Sequence, residues 1–281
     1  PEPVAVVPEP PPPVQVQAQV KERPSIWSNA YDKGKQAVAE GSFAQALKLF
    51  QQAAQDGNAD AQVALGDLYF NGQGINRNHS EALKWYRRAA ERGSISADTR
   101  LGVMYLNGYE LAQDEKKAID LFEKAANLGN GDGMYQLGMA NLRGQGVKKN
   151  DRKAIQHLEQ AAEAGSSEAA YQIGENYRTG RAGVTIDGKQ ALKWYKLAAD
   201  QGHAASEYAI GLLYFTGSPG ISQNIPDAIE WYQRAAQRGL ADAQNSLGVI
   251  YAEGHGVPVN LKEAVKWYTS AAEQGHAVSQ A

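Results

Sequence analysis

LGDLYFNGQGINRNHSEALKWYRRAAERG, running from Leu65 to Gly93, returns as LGVIYAEGHGVPVNLKEAVKWYTSAAEQG from Leu247 to Gly275. Between them the pattern never stops. A glycine preceded by Leu or Ile stands at Gly66, Gly102, Gly138, Gly174, Gly211 and Gly248, at intervals of 36, 36, 36, 37 and 37. An alanine pair keeps step, beginning at Ala53, Ala89, Ala125, Ala161, Ala198, Ala235 and Ala271. A period of this length marks stacked supersecondary units, each burying its apolar face on the next, and not a domain with one centre.

Each unit reads as two helices, because an apolar period near 3.6 runs on both sides of a glycine-rich loop such as NGQGINRN. The second helix is announced by a cap: Ser42, Asn78, Asp114, Asn150, Asp187, Asn224 and Asn260 occupy one column, each able to accept a bond from an orphan backbone N–H. Three residues on, Gln45, Glu81, Gln190, Asp227 and Glu263 predict a capping box, with Lys117 and Lys153 departing from it. A glycine inside a helix costs about 1 kcal/mol relative to alanine, so glycines in register imply close approach of the paired helix. The alanine pair is expected on that facing surface. Trp85-Tyr86, Trp194-Tyr195, Trp231-Tyr232 and Trp267-Tyr268 are expected to fill the seams between units.

Composition narrows the functions. The 281 residues are 43% hydrophobic, enough for a core, and 28 Lys and Arg against 31 Asp and Glu leave a net charge of -3. That balance gives no electrostatic footprint for nucleic acid or an anionic membrane, which points to a protein or peptide partner. Cysteine is absent, so thiolate chemistry and disulfides are excluded. No apolar run approaches the roughly 20 residues of a membrane helix, so direct insertion is not expected. Eight of the 11 prolines fall in the first 24 residues. Residues 1–25 therefore read as an extended tether, with a ligand for a proline-recognising domain and a strand docking back on the array as alternatives. Residues 26–58 read as a shorter first unit, 59–275 as six full units, and 276–281 as the start of a further helix. The sequence opens on Pro1, and an anchor ahead of it is an expectation of the tether reading.

The repeated residues carry a resemblance. The two stretches quoted above are similar to the Sel-like repeat, named from suppressor/enhancer of lin, a longer-loop relative of the tetratricopeptide repeat (TPR). The first unit, with Gly34 closer to Ala46, resembles the shorter TPR spacing. The resemblance implies an all-α fold, a right-handed α-solenoid of stacked antiparallel helix pairs, and a role in assembling protein complexes. No cofactor and no catalytic residue is expected.

Several local motifs invite chemistry and decline it. GVTIDGK, Gly183 to Lys189, has the spacing of a phosphate-binding loop, but Gln190 follows where Ser or Thr must hold Mg²⁺, and the repeat register makes Asp187 a helix cap. His203 shares a variable column with Asn58, Ser94, Asn130, Ser166 and Leu240, which reads as a turn surface. No histidine pair has metal-ligand spacing, so no metal site is expected. The third unit is the odd one, with Asn141 where others keep Tyr, and His157-Leu158 for Trp-Tyr.

The candidate binding residues lie on the first helices. At 100° per residue, the positions three before, one after and four after the glycine share one face. In TPR relatives it lines the concave groove. It gives Phe70, Tyr135, Met139, Leu142, Tyr171, Glu175, Arg178, Tyr208, Leu212 and Phe215 as a partner-binding strip, in which Glu175 and Arg178 are expected to offer polarity to a bound segment. Burial of the strip between neighbouring first helices is the competing reading. The function that follows is a non-catalytic scaffold in a bacterial cell-envelope complex, periplasmic or membrane-tethered. The alternatives are a self-associating structural module and a cell-wall ligand-binding protein or enzyme.

Overall fold

The computed structural model describes residues 25–274; the Pro-rich stretch and the HAVSQA hexapeptide, with what was expected of each, lie outside them. Among the described residues the chain forms fourteen helices in seven pairs. They are α1 (Ser25–Ala39) and α2 (Phe43–Gln55), α3 (Ala59–Asn71) and α4 (His79–Glu91), α5 (Ile95–Asn107) and α6 (Glu115–Asn127), and α7 (Gly131–Arg143) and α8 (Asp151–Glu163). There follow α9 (Ser167–Thr179) and α10 (Gly188–Ala199), α11 (Ala204–Thr216) and α12 (Ile225–Gln237), and α13 (Ala241–Glu253) and α14 (Leu261–Glu273). Each helix packs on its partner and on its neighbour in the adjoining pair, with first helices such as α3, α5 and α7 also touching side by side. The chain is an all-α solenoid. Its core is accordingly strung out in clusters that straddle neighbouring pairs, for example Phe50, Ala53, Ala61 and Leu65 at one end and Tyr232, Ala235, Ala243 and Leu247 at the other.

The predicted caps stand at the starts of the second helices, and six of the seven side chains accept from the third residue of the helix, as Asn78 does from the Glu81 N–H at 3.0 Å. Ser42 makes no such bond. The capping boxes do not close, because the donor they would satisfy is taken. The Asn78 N–H donates to the Tyr69 carbonyl at 2.8 Å, and Asp114, Asn150, Asp187, Asn224 and Asn260 donate to the matching carbonyl of their own first helix. Glu81 is left to pair with Lys84 at 2.5 Å. The column containing His203 is also more than a turn surface: Asn58, Ser94, Asn130, Ser166 and His203 cap the first helices through their side chains, while Leu240 does not.

The in-register glycines do let paired helices approach, but the group they admit is aromatic. A Cβ on Gly66 would sit 2.4 Å from the ring of Tyr86, and Gly102, Gly174, Gly211 and Gly248 face Phe122, Tyr195, Tyr232 and Tyr268 in the same way. In the third full repeat Gly138 faces Leu158. Two expectations are extended by this. The tyrosine of each Trp-Tyr pair covers the glycine of its own unit and also reaches the seam, as Tyr232 does beside Ala243 and Leu247, while the half-exposed tryptophan packs toward the unit before, as Trp231 does on the cluster of Tyr195, Ala199 and Ile210. The alanine pair serves the next unit as well as its own: a Cβ on Gly133 of α7 would come within 2.7 Å of Ala125 Cβ on α6, and one on Gly131 of α7 would lie 3.5 Å from the Ala161 carbonyl on its own partner α8.

Candidate interaction face

The ten residues read from the helix phase are all half-buried, so neither full exposure nor full burial describes the strip. Tyr135, Met139, Leu142 and Tyr171 pack together on the cluster around Leu158, Ala161 and Ile173. Phe70 stacks on His79 with ring centroids 4.8 Å apart. Tyr208 and Phe215 lean on Tyr232, at 5.4 and 6.4 Å.

Glu175 and Arg178 are not free to receive a peptide. Arg178 grips Glu175 through two bonds, Nε to Oε1 at 2.9 Å and Nη2 to Oε2 at 2.6 Å. The Tyr195 hydroxyl donates to the same carboxylate. Burial raises the Glu175 pKa, yet the Arg178 and Tyr195 hydrogen bonds outweigh it and hold the carboxyl below its ordinary value. The first half of the strip repeats the device. The Tyr86 hydroxyl donates to Asp67 at 2.7 Å, and Arg100 bridges Asp67 at 2.9 Å to Asp132 at 3.0 Å, lacing α3, α5 and α7 together. Burial opposes the Arg100 charge, and the two carboxylates more than compensate, so its pKa is raised. Arg100 was missed because it sits two residues before its glycine, at the edge of the face. Opposite charges about one repeat apart, Asp67, Arg100 and Asp132, were the signal that could have found it.

At α11 the pattern changes. Leu212 stands where Asp67 and Glu175 stand, so no carboxylate meets the phenol of Tyr232 from that position. Tyr208, Leu212 and Phe215 face Asn245 and Val249 of α13 across a notch of about 160 Å³, with Tyr232 and Ser246 completing it. Tyr232 carries a raised pKa, first from burial and then from the neighbouring Tyr208. A second hollow of about 250 Å³, around Asp67, Phe70, Arg100 and Val103, lies on the same face. The first is apolar and the second is charged.

The chemical motifs stay structural. The Asp187 carboxylate already accepts from the N–H groups of Lys189 and Gln190, the donors that a phosphate loop would need, so GVTIDGK is the neck of α10. Among the described residues no group of three His, Asp or Glu is placed to hold a metal ion, and no helix is long and apolar enough to cross a membrane.

The sequence profile of the Sel1 repeat matches residues 28–58, 59–94, 95–130, 131–166, 167–203, 204–240 and 241–276 in succession. The chain belongs to the Sel1 repeat family. The profile takes in the first, shorter unit as well. Sel1 repeats generally act in protein–protein interaction, and the proteins that carry them are generally non-catalytic scaffolds. A Sel1 repeat protein from Oxalobacter formigenes is 34% identical, with a TM-score of 0.67, covering 87% of this chain and 99% of that one. A protective antigen of uropathogenic Escherichia coli displaying an SLR fold is 31% identical, with a TM-score of 0.59 over 90% of this chain. This Sel1 array spans 55% of that antigen's length. An immunity protein from Pseudomonas aeruginosa shares the fold at 19% identity and a TM-score of 0.62, covering 76% of this chain and 82% of its own. No protein of curated function matches.

Proposed function

We propose that this Sel1 array is a non-catalytic scaffold that holds a segment of a partner protein along the face of its first helices, within a bacterial cell-envelope complex. The observation that carries the reading is the notch at α11 and α13, where five residues that the helix phase places on one face, Tyr208, Leu212, Phe215, Asn245 and Val249, line a single recess. A bulky apolar side chain of the partner fits such a recess, as anchor residues do at interfaces. The Pro-rich stretch before the array suits a tethered placement in the envelope.

A photo-crosslinking amino acid at Leu212 or Tyr171 should capture a discrete partner in intact cells, whereas one at Glu230, on the exposed side of α12, should not. Equal capture from all three positions, or from none with the fold intact, removes the face from the function.

A second reading has its own observation. Val265 on α14 is 62% exposed, although its counterparts Leu83, Ile119 and Ile229 are 7%, 6% and 8% exposed, and Leu261 beside it is 66% exposed. That apolar edge suits self-association of the array. Light scattering over a hundredfold concentration range decides it, since a molar mass that stays at 30.3 kDa throughout excludes self-association.

A further inference from the structure

The third full repeat lacks a tyrosine that the five others carry and a tryptophan that four of them carry, the second having Leu121 there. Asn141 stands in the column of Tyr69, Tyr105, Tyr177, Tyr214 and Tyr251, and His157 in that of Trp85, Trp194, Trp231 and Trp267. Neighbouring side chains do not close over the loss. Gly138, Ala154, Leu158 and Ala161 stay buried in their usual register, and a cavity of about 410 Å³ opens between α6, α7, α8 and the loop that joins the last two.

The walls of this cavity are polar and its charge is unbalanced. Lys148, Lys149 and Lys153 line it against one carboxylate, Glu123. Lys149 has an ion-pair partner in Asp151 at 3.5 Å; no carboxylate among the described residues pairs with Lys148 or Lys153. Asn141 is only 6% exposed, and its Nδ2 donates to the Leu137 carbonyl at 2.9 Å. His157 Nδ1 is buried with no hydrogen-bond partner. Leaving such an atom unpaired costs about 1–3 kcal/mol, and the ring's hydrogen bond is with the Gln160 side chain. Burial holds the imidazole below its ordinary pKa, with Lys153 adding to that against Gln160 and Glu123. The ring at neutral pH is therefore an uncharged hydrogen-bonding partner. A space of this size lies within the range of small-molecule pockets, about 300–1,000 Å³.

We infer that this cavity is a second binding site, for a small anionic molecule: the lysines hold its carboxylate or phosphate, and a flat body fills the space of the missing Tyr and Trp rings. The site shares no lining residue with the first-helix face, so it stands apart from the scaffold reading.

The test uses the isotope-labelled full chain, titrated with inorganic phosphate and with phthalate at constant ionic strength, following the His157 ring and the Asn141 side-chain amide by NMR. Both probes should give saturable shifts at those two residues, phthalate binding several-fold more tightly. Lys153→Ala should weaken phthalate about tenfold. The double variant Asn141→Tyr/His157→Trp, which restores the rings of the other repeats, should abolish both shifts while melting no lower than the parent. If that variant melts lower, Lys148→Ala/Lys153→Ala carries the decision, with loss of the shifts expected. Shifts that never saturate, or that persist unchanged in these variants, show an adventitious ion only and overturn the site. Binding of a Glu-rich peptide where phthalate and phosphate fail to bind overturns the small-molecule assignment in favour of an acidic partner segment.

Discussion

The α7–α8 pair and the α11–α12 pair share a backbone plan and little of its filling. Gly211 lies under the ring of Tyr232, with 2.6 Å available to a Cβ, and Gly138 lies under Leu158 with 2.7 Å. In the column four before the glycine, α11 has Glu207, fully buried and gripped by Arg234 at 3.1 Å and Arg238 at 2.9 Å, whereas α7 has Met134. Trp231, with the Arg234 guanidinium 4.2 Å from its ring centroid, answers to His157. Two pairs with such different contents keep the same close approach. Small residues set the spacing between helices, and large ones complete it.

The largest effect should come from breaking that spacing. Gly138→Leu and Gly211→Leu are each expected to destabilise by roughly 3 kcal/mol or more, through overpacking, despite their unlike partners. Urea unfolding checks this, and a loss confined to Gly211→Leu would move the cause from the spacing to the tyrosine. Next comes the difference in charge. Glu207→Gln should cost about 2 kcal/mol, because two charge-assisted bonds to a buried oxygen pair are weakened, while Met134→Leu should cost well under half of that. Equal costs would make the buried carboxylate a bystander.

The smallest effect is one of pH. His157 has a folded pKa below 6.5, so the unfolded chain takes the proton first; its contribution is fully present above about pH 6.5 and declines as pH falls toward the folded value. Melting temperature should therefore fall more steeply on mild acidification in the parent than in His157→Trp. Superimposable pH profiles would remove the buried imidazole from the account.

Much of the architecture was legible because it depends on local rules repeated seven times. A cap needs one side chain and the next turn, and Asn78 or Asp187 declares both within four residues. The glycine register likewise announced a close contact. What covered the glycine was not legible, since Tyr86 and Gly66 meet through the rotation of one helix against another, which no spacing within either helix fixes. The same holds for the site. Helix phase gathered Tyr208, Leu212 and Phe215 correctly, yet it presented Glu175 and Arg178 as available when a three-residue salt bridge and the Tyr195 hydroxyl, 20 residues away, had engaged them. Asn141 and His157 stood out as departures, and only their positions in space showed that both departures empty one place.

The bond from each second-helix cap back to the first helix has an engineering consequence. It closes every loop at its neck, as the Asn224 N–H does with the Tyr214 carbonyl at 2.8 Å, and the residues beyond the neck rest on the second helix of the unit before, where the Gly188 N–H donates to the Pro219 carbonyl at 2.9 Å. The step from 36 to 37 residues is absorbed there, in the eight-residue loops before α10 and α12, and neither alters the helix register. Lengthening such a loop adds only about 0.6 kcal/mol per doubling. The tip between Ser218 and Ile221 is thus a clasp between units: an epitope or fluorophore grafted there would take the Pro219 carbonyl away from the Gly188 N–H at the start of α10.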